Sequence, residues 1–263
     1  MNSREQKINV HGVDLNYLKV GSGKHAVLML PGAMGSIWSN FRPQIENLDR
    51  NEFTIIAWDP PGYGQSRPPT RKFDEGFLQQ DAIYAKNLMC TLGYDNFSTI
   101  GWCNGGITSC FLAARHPESV QKMILIGTNS YILPEEITIY RGLKDLDAWT
   151  ESMMSPLAAI YGEKYVRNVW PSWVDAMEEI YEKRNGDICS AFLEKIQCPT
   201  LIVHGEGDRL VKESHAAVIR NKIRKSRVYI FEKGYHDPHL RFQAEFNDLA
   251  TQFLLSPFQD SEP

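Results

Sequence analysis

The chain has 263 residues and a net charge of −4, with its 28 Lys and Arg scattered rather than gathered. That argues against a nucleic-acid partner, because phosphate backbones call for basic residues concentrated on one face. Hydrophobic residues make up 43% and charged residues 23%, which suits one sizeable core and excludes extensive disorder.

No apolar run approaches the roughly 18 residues of a membrane span, so no membrane partner is expected. The start, Met1-Asn2-Ser3-Arg4-Glu5-Gln6-Lys7, lacks the apolar centre of a signal peptide. A cytoplasmic location is expected, or a mitochondrial one if a leader has been removed. Five cysteines with no Cys-x-x-Cys pair suit free thiols in a reducing compartment better than a disulfide framework.

In chain order, Ile8, Val10, Val13, Leu15, Tyr17 and Val20 alternate with polar residues around His11-Gly12, the pattern of a β-hairpin. Ala26-Val27-Leu28-Met29-Leu30 and Phe53-Thr54-Ile55-Ile56-Ala57-Trp58 are nearly unbroken apolar runs, as in parallel strands covered on both faces. Each ends in turn formers, Pro31-Gly32-Ala33-Met34-Gly35 and Asp59-Pro60-Pro61-Gly62-Tyr63-Gly64. Helical spacing is read over 41–48 and 77–92, a strand up to Trp102, a helix from there to about Ala114, and a strand over 123–127. From Asn129 to Gln197 there is no buried strand, only amphipathic stretches bearing Trp149, Tyr161, Trp170 and Trp173. Alternation resumes with strands over 200–205 and 227–231, a helix over 214–223 between them, and a last helix from Gln243 to Leu255 before a tail expected to fray.

Alternating strands and helices imply an α/β fold, a mostly parallel sheet with helices on both faces. The helical stretch is then an insertion over the C-terminal strand ends, where such sheets place ligands. The expected division is a core formed by residues 1–128 and 199–263, with a helical cap over 129–198.

The chemistry centres on Gly101-Trp102-Cys103-Asn104-Gly105, a strand-to-helix junction with the spacing of a nucleophile elbow. Such a turn leaves no room for a Cβ two residues to either side of the nucleophile. Cys103 is the candidate nucleophile. A triad in the order nucleophile, acid, histidine puts the acid just past the strand over 200–205, where Asp208 is favoured and Glu206 competes. It puts the base past the strand over 227–231, where His236 is favoured over His239. The carboxylate is needed to orient the imidazole and stabilise its protonated form. Ala33, on the loop after the first buried strand, and Asn104 would supply oxyanion N–H groups. Met34, Trp149, Tyr161, Trp170 and Trp173 are candidate pocket residues. His204 is read as structural. His236 and His239 lack metal-site spacing and a third ligand, so no metal is expected.

These motifs, together with Leu30-Pro31-Gly32, Gly62-Tyr63-Gly64-Gln65-Ser66 and Gly234-Tyr235-His236, resemble the α/β-hydrolase superfamily, most closely the biphenyl hydrolase-like or valacyclovir hydrolase group. The resemblance runs from about Ile8 to Leu255. It implies a cofactor-free esterase acting on small carboxylic esters, notably α-amino-acid esters, as a monomer or small homo-oligomer. On that analogy Cys103, Asp208 and His236 fall on the triad, and Ala33 and Asn104 on the oxyanion hole. Two departures stand out. The group's nucleophile is Ser where this chain has Cys103, and an acidic residue suited to a substrate ammonium commonly follows it where this chain has Asn104. Three readings of Cys103 follow: a working thiol nucleophile, a replaced and impaired one, or a receptor-like fold with little turnover. A carbon–carbon bond hydrolase is a further alternative. Haloalkane dehalogenases and epoxide hydrolases are disfavoured, since they use Asp at the elbow.

Overall fold

A computed structural model describes residues 4–258. The first three residues of the chain start, and the tail from Gln259 onward for which fraying was expected, lie outside the described residues. The strands are β1 (Gln6–Val10), β2 (Val13–Val20), β3 (His25–Leu30), β4 (Phe53–Trp58), β5 (Phe97–Trp102), β6 (Val120–Ile126), β7 (Thr200–Gly205) and β8 (Ser226–Phe231). They form one eight-stranded sheet in the order β1-β2-β4-β3-β5-β6-β7-β8. β1 and β2 are antiparallel, as is the join of β2 to β4, and every pairing from β4 through to β8 is parallel.

The unbroken apolar runs are needed because each central strand feeds two cores. Leu28 and Leu30, Ile56 and Trp58, and Met123 and Leu125 face one side of the sheet. Their alternates Val27 and Met29, Ile55 and Ala57, and Ile124 and Ile126 face the other, as the two-residue period of a strand requires. Each large aliphatic side chain so buried contributes about 2 kcal/mol. Helices α2 (Phe77–Thr91), α3 (Asn104–Arg115) and α8 (Ser214–Lys222) cover the first side, through residues such as Leu88, Phe111 and Ile219. Helices α1 (Ile37–Asn47) and α10 (Gln243–Leu255) cover the second, through Phe41 and Phe253.

Between β6 and β7 the chain forms α4 (Pro134–Gly142), a 3-10 turn (Leu146–Ala148), α5 (Glu151–Tyr161), α6 (Glu163–Lys183) and α7 (Ser190–Leu193). An isolated bridge of Tyr131 with Asp187 ties the two ends of this segment together.

Two boundaries differ from the sequence reading by more than one residue. α1 starts at Ile37 rather than near residue 41, because Ser36 caps it: its hydroxyl accepts from the Ser39 N–H and the Ser39 side chain returns to the Ser36 backbone. The apolar period of α1 was hidden by a kink at Phe41, whose φ is −135°. β6 starts at Val120 rather than residue 123, since Val120 pairs with Phe97 across a register shift. One further turn, α9 (Pro238–Arg241), follows the His236 loop.

The strand order sets the place of the site. The chain leaves β3 for β4 on one side, then crosses back to β5 on the other. The loops following β3 and β5 therefore diverge at a switch point, and the crevice between them opens at the C-terminal strand ends.

Candidate active site

Cys103 sits between β5 and α3 at φ 54°, ψ −120°, a conformation outside the ordinary regions that costs a non-glycine residue about 1–3 kcal/mol. The surroundings enforce it. The Cys103 N–H donates to the Ile126 carbonyl at 2.9 Å, and its own carbonyl accepts from Gly106 and Ile107 as α3 begins. A Cβ on Gly101 would meet the Gly105 backbone, and one on Gly105 would run into the Leu30 carbonyl. The two glycines of the motif are thus the clearance of the turn, and the cysteine is its projecting residue.

Asp208 follows β7 and His236 follows β8. The His236 Nδ1–H donates to Asp208 Oδ2 at 2.7 Å, while Asp208 Oδ1 accepts the N–H groups of Leu210 at 2.9 Å and Val211 at 3.1 Å. Burial alone would raise the Asp208 carboxyl, but the His236 ring and these N–H groups outweigh it and hold its pKa below the ordinary value. Burial likewise opposes charge on His236. The Cys103 sulfur and the Asp208 carboxylate, by charge and by hydrogen bonds, nevertheless push that ring up to about 10. Both partners favour the protonated ring.

The elbow also steadies the base. Trp102 Nε1–H donates to the His236 carbonyl at 2.7 Å, and the two rings lie 5.4 Å apart. On the β3 side, the Gly32 N–H donates to Asn40 Oδ1 at 3.0 Å and the Gly35 N–H to the Gly32 carbonyl. This tight loop carries the Ala33 N–H. Asn104 is the first residue of α3, so its N–H is one of the helix's free N-terminal donors.

Of the competing residues, Glu206 is exposed and accepts from the Lys233 N–H. His239 is fully buried, donates Nε2–H to the Asn40 carbonyl at 3.0 Å, and is pushed by burial down to about 4. His204 is also buried and donates to the Val211 carbonyl.

A cavity of about 140 Å³ opens at Cys103, with Ala33, Asn104, His236, Trp170 and Trp173 among its lining residues. Its volume is close to that of a void able to hold one benzene. The other three residues expected in a pocket lie elsewhere. Met34 is fully buried in the core beneath the loop. The Tyr161 hydroxyl donates to the Gly35 carbonyl and accepts from the Gly64 N–H. Trp149 packs edge-on against Trp170 at 5.1 Å and donates to the Leu143 carbonyl. Each is an aromatic or apolar residue at helical or loop spacing whose face toward the core could not be told from its face toward a ligand. Tyr140, Met177, Leu210 and Val211 also line the cavity, and sequence reasoning missed them. Only Leu210 and Val211 carried a signal, standing two and three residues past Asp208.

A larger void of about 500 Å³ lies between α1 and α5, bordered by Trp38, Arg42 and Asp59. It contains none of the three residues just described, and its one buried carboxylate, Asp59, already accepts from Asn16, Ile37 and Gln65. All five cysteines are free. Among the described residues no group of three or more His, Cys, Asp or Glu is placed to hold a metal ion, and no helix is long and apolar enough to cross a membrane.

A family model described as the alpha/beta hydrolase fold matches residues 25–162. The human serine hydrolase BPHL is 44% identical over 94% of this chain and 85% of its own length. The chain belongs to the α/β-hydrolase family, among the relatives of serine hydrolase BPHL. It is a hydrolase. A 2-hydroxy-6-oxononadienedioate/2-hydroxy-6-oxononatrienedioate hydrolase of Pseudomonas putida stands much further off, at 26% identity over 92% of each chain. The crystal structure of serine hydrolase CCSP0084 from Cycloclasticus zankles shares the fold, with a TM-score of 0.82, 18% identity, and coverage of 98% of this chain and 100% of that one.

Proposed function

We propose that this hydrolase cleaves small carboxylic esters through an acyl-enzyme on Cys103, with His236 as proton carrier and Asp208 as its orienting carboxylate. The observation that carries the reading is the 2.7 Å Asp208–His236 bond set beside a cysteine fixed at the elbow with φ 54°. A cysteine next to an imidazolium and at a helix N-terminus reacts as thiolate. The sulfur attacks the ester carbonyl, and the oxyanion that forms is met by the Ala33 and Asn104 N–H groups. His236 then gives its proton to the departing alkoxide, leaving a thioester. Water attacks the thioester, neutral His236 takes its proton, and the thiolate leaves.

Residues 129–198 act as a cap in this reading. They bring Tyr140, Leu143, Trp170, Trp173 and Met177 to the cavity wall and limit the group lodged there to about the size of a benzene ring. The BPHL relatives are named serine hydrolases, whereas the nucleophile here is a thiol, so deacylation is the step most exposed to the difference.

The test is hydrolysis of a small p-nitrophenyl ester. Cys103→Ala abolishes it, and brief iodoacetamide treatment does the same while adding one carbamidomethyl group at Cys103. Hydrolysis that persists unchanged in Cys103→Ala refutes the reading. Single-turnover release with a retained acyl group on Cys103 identifies a trapped nucleophile, and binding without any acylation identifies a receptor.

A further inference from the structure

Glu136 and His215 form a fully buried polar contact that the reaction above does not use. Both are 0% exposed, Glu136 in the first turn of α4 and His215 in α8. The His215 Nε2–H donates to the carboxylate, lying 2.9 Å from Oε1 and 3.0 Å from Oε2. Oε2 also accepts the Leu133 N–H at 2.9 Å, at the root of the cap segment, and Oε1 accepts the Lys212 N–H at 2.9 Å. One side chain thus joins the cap, the loop after β7 and the helix that follows it. Taking a carboxylate out of water costs about as much as such a contact returns, so stability alone does not account for it.

The place of Lys212 gives the contact a use. Asp208 Oδ1 is held by the N–H groups of Leu210 and Val211, and Lys212 is the next residue. Each of the three is gripped by a side chain. The Leu210 carbonyl faces the Tyr140 hydroxyl of α4 at 3.4 Å, the Val211 carbonyl accepts from His204 at 3.0 Å, and the Lys212 N–H goes to Glu136. We propose that Glu136 is a positioning residue, which holds residues 210–212 so that their N–H groups keep the Asp208 carboxylate aimed at His236. Helix α4 grips both ends of that segment and also puts Tyr140 in the cavity wall. A cap seated on the core and a correctly aimed acid are then one arrangement. The inference rests on the triad reading above and adds to it the residue that sets the acid.

Glu136→Asp is the test, since it keeps the charge and shortens the side chain by one carbon, about 1.5 Å, too short to hold Leu133, Lys212 and His215 together. Ile137→Ala is its control: it opens a void at the neighbouring buried residue of α4 and removes no hydrogen bond of the acid loop. Hydrolysis of p-nitrophenyl acetate, corrected for the folded fraction from urea curves, is measured beside an NMR titration of the His236 ring. Besides Asp208 and Cys103, the titratable groups facing that ring are His204 and His239, and neither variant alters them. Glu136→Asp is expected to lower kcat/KM by roughly 10- to 100-fold and to displace the His236 titration to lower pH. Ile137→Ala is expected to stay within about twofold, as an independent site does, with the titration unmoved. Equal losses in the two variants, or an unmoved titration in Glu136→Asp, overturn the role of Glu136 and leave the hydrolase reading standing. Hydrolysis that persists in Cys103→Ala overturns that reading, whereas the titration still reports on Glu136. If Glu136→Asp does not fold, His215→Leu, which frees the carboxylate from its ring partner and keeps its charge, is judged against Ile137→Ala by the same two criteria.

Discussion

Asp208→Asn is the most informative single change, because it keeps the size of the side chain and removes its charge. The carboxylate is buried, 2.7 Å from His236 Nδ1. With charge centres about 4 Å apart and an effective dielectric of about 20, the attraction it exerts on the imidazolium is about 4 kcal/mol. That corresponds to roughly three decades, at about 1.4 kcal/mol each. His236, pushed up to about 10 by Cys103 and Asp208 against its burial, is therefore expected to lose its proton up to about three pH units lower in the variant. The sign is fixed by the charge: a raised histidine is protonated below its folded-state pKa, so removing an anion shrinks the pH range in which it can protonate the leaving group. The variant amide also offers an N–H where the ring needs an acceptor, favouring the wrong tautomer. Steady-state hydrolysis of a p-nitrophenyl ester from pH 5 to 10, with the His236 ring proton followed by NMR, should show kcat/KM down by roughly 10³ and the titration displaced to lower pH. A variant within about threefold of the natural chain, with an unmoved titration, refutes the electrostatic argument.

Glu206→Gln, at the exposed neighbouring carboxylate, should leave kcat/KM within about twofold, since surface charges this accessible are weakly coupled; a large loss would transfer the acid's role to it. Gly105→Ala drives a methyl group into the Leu30 carbonyl and should lower stability in urea by about 2–4 kcal/mol, visible as a reduced midpoint. Trp170→Ala widens the 140 Å³ cavity and should raise the hexanoate-to-acetate ratio of kcat/KM by roughly tenfold. The depressed Asp208 carboxyl contributes stability that is present above its unfolded value of about 3.9 and lost as pH falls through the lower folded value. The stability gap between the natural chain and Asp208→Asn, read from denaturant curves, should accordingly narrow below about pH 4.

Much of the architecture was legible from residue order. Short runs such as Val27-Leu28-Met29-Leu30, bounded by turn formers, suit central parallel strands with two apolar faces, and those signals are local. The elbow was legible for the same kind of reason: Gly101, Cys103 and Gly105 are close in sequence, and the clash that requires the glycines arises within a single turn and the strand beside it. Even the triad candidates could be picked out from residue order, because each stands just past the end of a strand that its apolar run marks.

What lies across the molecule was decided only in three dimensions. That Tyr161 braces Gly35 and Gly64, 126 and 97 residues away, while Trp170 and Trp173 line the cavity with Cys103, depends on how α5 and α6 pack on each other and over the loops at the strand ends. Helical spacing gives an aromatic stripe but not what it meets. The unmatched Nδ2 of Asn104 is of the same kind. The sequence placed an amide beside the nucleophile, but only the tertiary packing determined that its Nδ2 would be buried without an acceptor among the described residues.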